Sequence, residues 1–212
     1  MDEHDRIAPP RIDPTKTPFT ETEAFRRYGF HDDPNPDSPE SLYLKAIIEE
    51  QAFDQLPYLV TRRELDRYIA AGEVELFRGV TEARFADELR AGAYFVGRGG
   101  VFDGMYAASG VDALSIARTY ASPLGAIIRM SLKVGAQVAD GRTFEDQVTA
   151  ALRRAEVEGG QSLAVMRLIY NEVSSFAVYL GYDAIRIVEF PEVDNYAILN
   201  RSAIRVQREN IR

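Results

Sequence analysis

The stretch EVELFRGV, residues 73–80, alternates apolar and polar side chains up to Arg78 and then turns at Gly79. That alternation predicts a buried strand over residues 73–80. A strand-end arginine either caps a sheet edge or binds an anion. Immediately afterwards TEARFADELRAG, residues 81–92, changes to helical spacing, with Phe85 and Leu89 stacked at i, i+4 before a terminal Gly92. A strand followed at once by an amphipathic helix predicts a mixed α+β domain.

The alternation of strands and helices continues downstream. AYFV, 93–96, reads as a short strand before the glycine-rich GRGGVFDG, 97–104, and VDALSIARTYA, 111–121, reads as a helix with Ala113, Ile116, Ala117 and Tyr120 on one stripe. GAIIRMSLKV, 125–134, reads as a strand, and residues 143–157 as a helix capped by Thr143. SLAVMRLIYNEVSSFAVYLG, 162–181, is apolar around much of its circumference and predicts a core helix. DAIRIVEF, YAILN and AIRVQ close the chain as three strands.

Upstream, residues 1–37 are rich in proline and aspartate, as in DDPNPDSPE at 32–40, and predict an extended or disordered arm. Residues 38–72 predict a helical region in two parts. Ser38 and Pro39 open the first helix; a capping box from Thr61 and Glu64 opens the second, whose stripe is Leu65, Tyr68 and Ile69 and whose stop is Gly72. Residues 73–212 then form the main domain.

Composition excludes several chemistries. Among 212 residues there is no cysteine, and both histidines, His4 and His31, fall in the N-terminal forty residues. Thiolate nucleophiles, disulfides and His-based triads are thereby removed from the domain, and no metal site is expected. A net charge of −8 without a Lys/Arg-rich block disfavours nucleic acid as a partner. No run reaches the roughly 18 apolar residues of a membrane span, and the acidic N-terminus MDEHDRIAPP lacks an apolar leader core. The expectation is a cytoplasmic protein with no membrane partner, or one delivered by a secretion route that needs no signal peptide.

Three stretches put a polar residue where local pattern does not ask for one: LFRGV at 76–80, FDGMYAAS at 102–109 and VDNYAILNRSAI at 193–204. Considered singly, Arg78 reads as a surface cation, Tyr106 as a core aromatic and Asn195 as a turn residue. In this order, together with FADELRAG at 85–92, SIARTYA at 115–121 and LGYDAIRI at 180–187, they resemble the ADP-ribosyltransferase superfamily from about Val74 to Val206. Arg78-Gly79 resembles that family's first motif, with the arginine of its toxin branch where the polymerase branch carries histidine. Tyr106 and the Ala117-x-x-Tyr120 pattern resemble the polymerase branch. Asn195 stands where both branches carry glutamate, and Ala117 where a serine is common.

The resemblance implies an ADP-ribosyltransferase-like split, mixed β-sheet core with flanking helices, and NAD as the substrate that supplies ADP-ribose. It implies a mono-ADP-ribosyltransferase of toxin or effector type acting on a macromolecular acceptor, a protein. The alternatives are an NAD glycohydrolase and a catalytically degenerate module that binds NAD, ADP-ribose or a protein. Arg78 would grip the pyrophosphate, since a guanidinium is a rigid donor fork. Gly79, Gly104 and Ala107 would bring backbone close to the cofactor, while Tyr106 and Tyr120 sandwich the nicotinamide ring. Asn195 can bond the ribose 2′-hydroxyl but brings no charge to an oxocarbenium-like transition state; Glu192 is the nearby carboxylate that could. The helices of 38–72 are candidates for a lid, an acceptor-docking surface, or the binding site of an antitoxin or immunity protein.

Overall fold

The computed structural model of the chain describes residues 56–91, 104–158, 177, 182–190 and 193–211. The arm over 1–37, the helix opening at Ser38, the strand AYFV, most of GRGGVFDG, and the expected core helix over 162–181 apart from the helical, fully buried Ala177 lie outside the described residues.

Chain order begins with β1 (Tyr58–Val60), α1 (Arg62–Ala70), β2 (Val74–Val80), α2 (Ala83–Ala91), β3 (Met105–Gly110) and α3 (Ala113–Tyr120). It continues with β4 (Ala126–Leu132), β5 (Val138–Asp140), α4 (Gly141–Glu158), β6 (Ala184–Phe190), β7 (Val193–Ile198) and β8 (Ile204–Gln207), the last entered through a 3-10 turn at Arg201–Ala203. The strands form one mixed sheet in the order β1-β8-β4-β2-β3-β7-β6-β5. Only the outermost pairs, β1/β8 and β5/β6, are parallel.

Several elements form for the reasons visible in their sequence. α1 starts with the capping box: Glu64 N donates to Thr61 Oγ1 at 3.3 Å, and Thr61 N donates to Glu64 Oε2 at 2.8 Å. It buries Leu65 and stops before Gly72, whose φ is 106°. α4 corrects one expectation. It begins at Gly141, two residues earlier than the predicted Thr143 cap, because Asp140 Oδ1 accepts from Arg142 N at 2.9 Å and the Thr143 hydroxyl bonds back to the Asp140 carbonyl. β1, β3 and β5 are not among the expected strands. β1 and β5 have three residues, too few for a period of two to register, and exist through the neighbour they pair with, while the small residues of β3, MYAASG, read as part of a turn.

The sheet buries a different cluster on each face. Leu76, Val80, Met105, Ile128, Met130 and Ile198 belong to the main core, which α2 covers with Ala86 and Leu89. Phe77, Ala108 and Val193 face the other way, against Ala113 and Ile116 of α3. Beside this, α1 and the sheet are tied by a buried ion pair: Arg205 Nε donates to Glu73 Oε1 at 2.9 Å, and the guanidinium lies 3.8 Å from the centre of the Tyr68 ring. Among the described residues no helix is long and apolar enough to cross a membrane.

The sheet narrows in its middle. Every residue of β2 has a partner on β4, from Val74 opposite Leu132 to Val80 opposite Ala126, and every residue of β3 has one on β7. Between β2 and β3 there is one register pair, Phe77 with Ala108. β2 and β3 thus run side by side with the least regular ladder of the sheet, and α3 lies across both strands.

That contact is tight. A Cβ built on Gly79 would stand 1.9 Å from the Ala117 carbonyl oxygen. Overpacking of this kind typically costs about 1–3 kcal/mol, and here the obstacle is backbone, which cannot rotate away. Gly79→Ala is expected to lose at least about 2 kcal/mol of stability in urea titration. An unchanged midpoint would mean that α3 does not dock on β2 as described.

Candidate functional site

Strand alternation places the Arg78 side chain on the face of Leu76 and Val80, beneath α2. There it lines a cleft of about 270 Å³ with Gly79, Phe85, Leu89, Tyr120 and Ile128. This is close to the lower bound of about 300 Å³ for sites that enclose a drug-sized ligand. The lining is apolar apart from the Arg78 guanidinium, Thr81 and the Tyr120 phenol at the rim.

The electrostatics of Arg78 are unlike those of its neighbours. Arg84, Arg90, Arg129, Arg186 and Arg205 each pair with a carboxylate. Arg78 Nη1 instead donates to the Tyr106 carbonyl at 2.6 Å, and among the described residues no carboxylate pairs with it. Burial pushes its guanidinium below the ordinary arginine value. A half-buried cation with one backbone partner retains unused donors, and in an acidic chain it is the group best placed to take an exogenous anion.

The remaining sequence-derived residues gather around the same narrow junction without all facing one cavity. Tyr106 is opposite Ala197, and Asn195 is opposite Ala108, so Tyr106 and Asn195 share the face that α3 covers, on neighbouring strands. Both are half-buried. The Tyr106 ring and the Arg78 guanidinium therefore leave the sheet on opposite faces, and their link is the carbonyl bond. Gly79 supports the Ala117 carbonyl on the α3 side and also borders the cleft. Tyr120 was expected on the buried stripe of α3, yet it is 68% exposed. α3 ends at this residue and the chain turns extended at Ala121, so the last side chain of the stripe overhangs the strands and reaches the cleft rim.

Gly104 enters β3 with φ 146°, a conformation side chains resist, and a Cβ there would meet the Ile198 carbonyl at 3.1 Å. The Ala107 side chain is packed in the main core, which leaves its backbone as the part that could serve a ligand. Glu192 lies outside the described residues. Its neighbour Asp194 points away from Asn195's face, as alternation requires, and pairs with Arg186 at 3.0 Å. Among the described residues no group of three His, Asp or Glu side chains could hold a metal ion.

Sequence reasoning missed the apolar wall of the cleft. Phe85, Leu89 and Ile128 carry the same helical or alternating signal that a closed core gives, so only the gap beside them shows that they border open space.

If Arg78 is an anion anchor, Arg78→Ala should weaken inorganic pyrophosphate binding roughly 10- to 100-fold, the size of a charge-assisted contact. Isothermal titration measures this, and equal affinity in the two proteins would leave Arg78 with a structural role alone. Compared with known proteins, the chain matches no protein-family model, no curated protein and no solved structure.

Proposed function

We propose that the chain is an NAD-dependent mono-ADP-ribosyltransferase with an ADP-ribosyltransferase-like core, moving ADP-ribose to a protein acceptor as a toxin or effector. The observation that carries this reading is Arg78: a half-buried guanidinium without a carboxylate partner among the described residues, at an apolar cleft rimmed by Tyr120. A dinucleotide presents a pyrophosphate for the cation and a flat ring for the phenol. Arg78 holds the pyrophosphate, Gly79 allows close backbone approach, and Tyr120 at the cleft rim stacks on the nicotinamide, while Tyr106, whose ring lies on the other face, serves the site through the carbonyl that Arg78 holds.

Departure of nicotinamide breaks the N-glycosidic bond and leaves positive charge on the ribose C1′ and ring oxygen. An acceptor nucleophile then attacks C1′ and gives up its proton. With water as the acceptor, the same steps amount to NAD hydrolysis. Asn195, the residue at the position where the resemblance expects glutamate, contributes no negative charge, so the barrier is lowered less than a carboxylate would lower it.

A second reading, a degenerate module that binds NAD or ADP-ribose without turnover, is favoured by one specific observation. None of the described residues lining the cleft is a carboxylate, and Asn195 sits on the sheet face opposite to the Arg78 side chain. Free nicotinamide, followed with and without cell lysate as the acceptor source, separates the readings. Release only with lysate means transfer, release without it means hydrolysis, and NAD binding without release means the binding module.

On the transferase reading, Asn195→Glu raises nicotinamide release at least about tenfold, because one electrostatic element of this kind is typically worth about 10²–10³ in rate. No gain in Asn195→Glu together with loss in Glu192→Gln would move the charge to Glu192. Tyr120→Ala is expected to weaken NAD more than ADP-ribose in parallel titrations. Equal weakening of both would remove Tyr120 from the nicotinamide.

A further inference from the structure

We propose that Arg78 is a brace shared between sheet and ligand, so that an anion seated on its remaining donors closes the β2–β3 junction. This rests on the anion-binding role assigned to Arg78 above and is independent of whether transfer follows. Three observations carry it. β2 and β3 are each fully laddered on their outer sides yet meet through the single pair Phe77 and Ala108, so this junction is the least hydrogen-bonded seam of the central sheet. Arg78 Nη1 crosses that seam and donates to the Tyr106 carbonyl at 2.6 Å, adding a side-chain bond between the two strands. The same planar group also lines the cleft, where Nε and Nη2 keep a donor edge suited to two oxygens of one anion.

Because the guanidinium is rigid, its two tasks are coupled. Holding Tyr106 with Nη1 fixes the plane of the fork, and an anion on the fork fixes Nη1 against Tyr106. Opening of the seam frees the side chain, and an anion that needs the fixed fork binds the closed form alone. Linkage then makes the open fraction fall by a factor of 1 + [ligand]/Kd. Lysine keeps the charge but has no plane, so it can bind an anion or the carbonyl without joining the two.

The experiment is peptide-level hydrogen exchange with and without inorganic pyrophosphate, in chelator, on the full chain. At ten times the Kd measured by calorimetry, exchange in peptides covering residues 74–80 and 105–110 should slow roughly tenfold, while peptides covering α1 stay unchanged. Arg78→Lys, at ten times its own Kd, should show no slowing in either strand. Pyrophosphate binding to the wild type without slowing overturns the brace and leaves the anion site standing, as does equal slowing in Arg78→Lys. Absence of pyrophosphate and NAD binding overturns both. The wild-type measurement decides the matter by itself if the lysine variant does not fold.

Discussion

The Ala117 carbonyl oxygen occupies the place where residue 79 would carry a side chain. With glycine there, the last turn of α3 rests directly on β2, and this contact fixes where the helix ends. Tyr120 follows at the rim of the cleft, and the chain turns extended at Ala121 before rising into β4. β3 shares one register pair with β2, and α3 packs on both strands beside that pairing. Cleft, rim and seam thus depend on one missing methyl group.

The second organising feature is electrostatic. In a chain of net charge −8, carboxylates are plentiful, and Arg84, Arg90, Arg129, Arg186 and Arg205 pair with them. Arg129 spans Asp66 and Glu75 at 2.6 Å each, joining α1 to β2 across β4, and Arg205 with Glu73 joins β8 to the start of β2. A buried ion pair of this kind contributes little net stability, but it resists removal of either partner. Arg78 departs from the pattern by taking a backbone carbonyl instead. Leaving a desolvated cation short of negative charge is unfavourable for folding alone, which is why it is the residue that most invites a functional explanation.

Much of the fold was legible from local signals. The capping box of Thr61 and Glu64, the alternation of 73–80 and the i, i+4 pair Phe85 and Leu89 all depend on residues a few positions apart, and the strands and helices they predict are present. β1 and β5 were invisible because their identity comes from β8 and β6, not from their own three residues. Candidate site residues could be named from the sequence, but not their geometry. That β3 stands beside β2 with Phe77 opposite Ala108 is a tertiary fact, and shifting that register by one would send Tyr106 to the other face. Hence the sequence could name Arg78, Tyr106 and Asn195 but could not tell that the first leaves the sheet away from the other two.

The two ends of the sheet bear on how the protein behaves in company. β1 and β5 are each three residues long and parallel to their neighbours. Brief outer strands give another polypeptide little backbone to pair with, which is a known defence against edge-to-edge aggregation and strand exchange. The incompletely paired backbone of the sheet lies in its interior instead, between strands anchored on their far sides and roofed by a helix. A strand from another molecule finds no open edge to add to in such a place. By blunting its margins and loosening its centre, the fold keeps its adhesive backbone away from copies of itself.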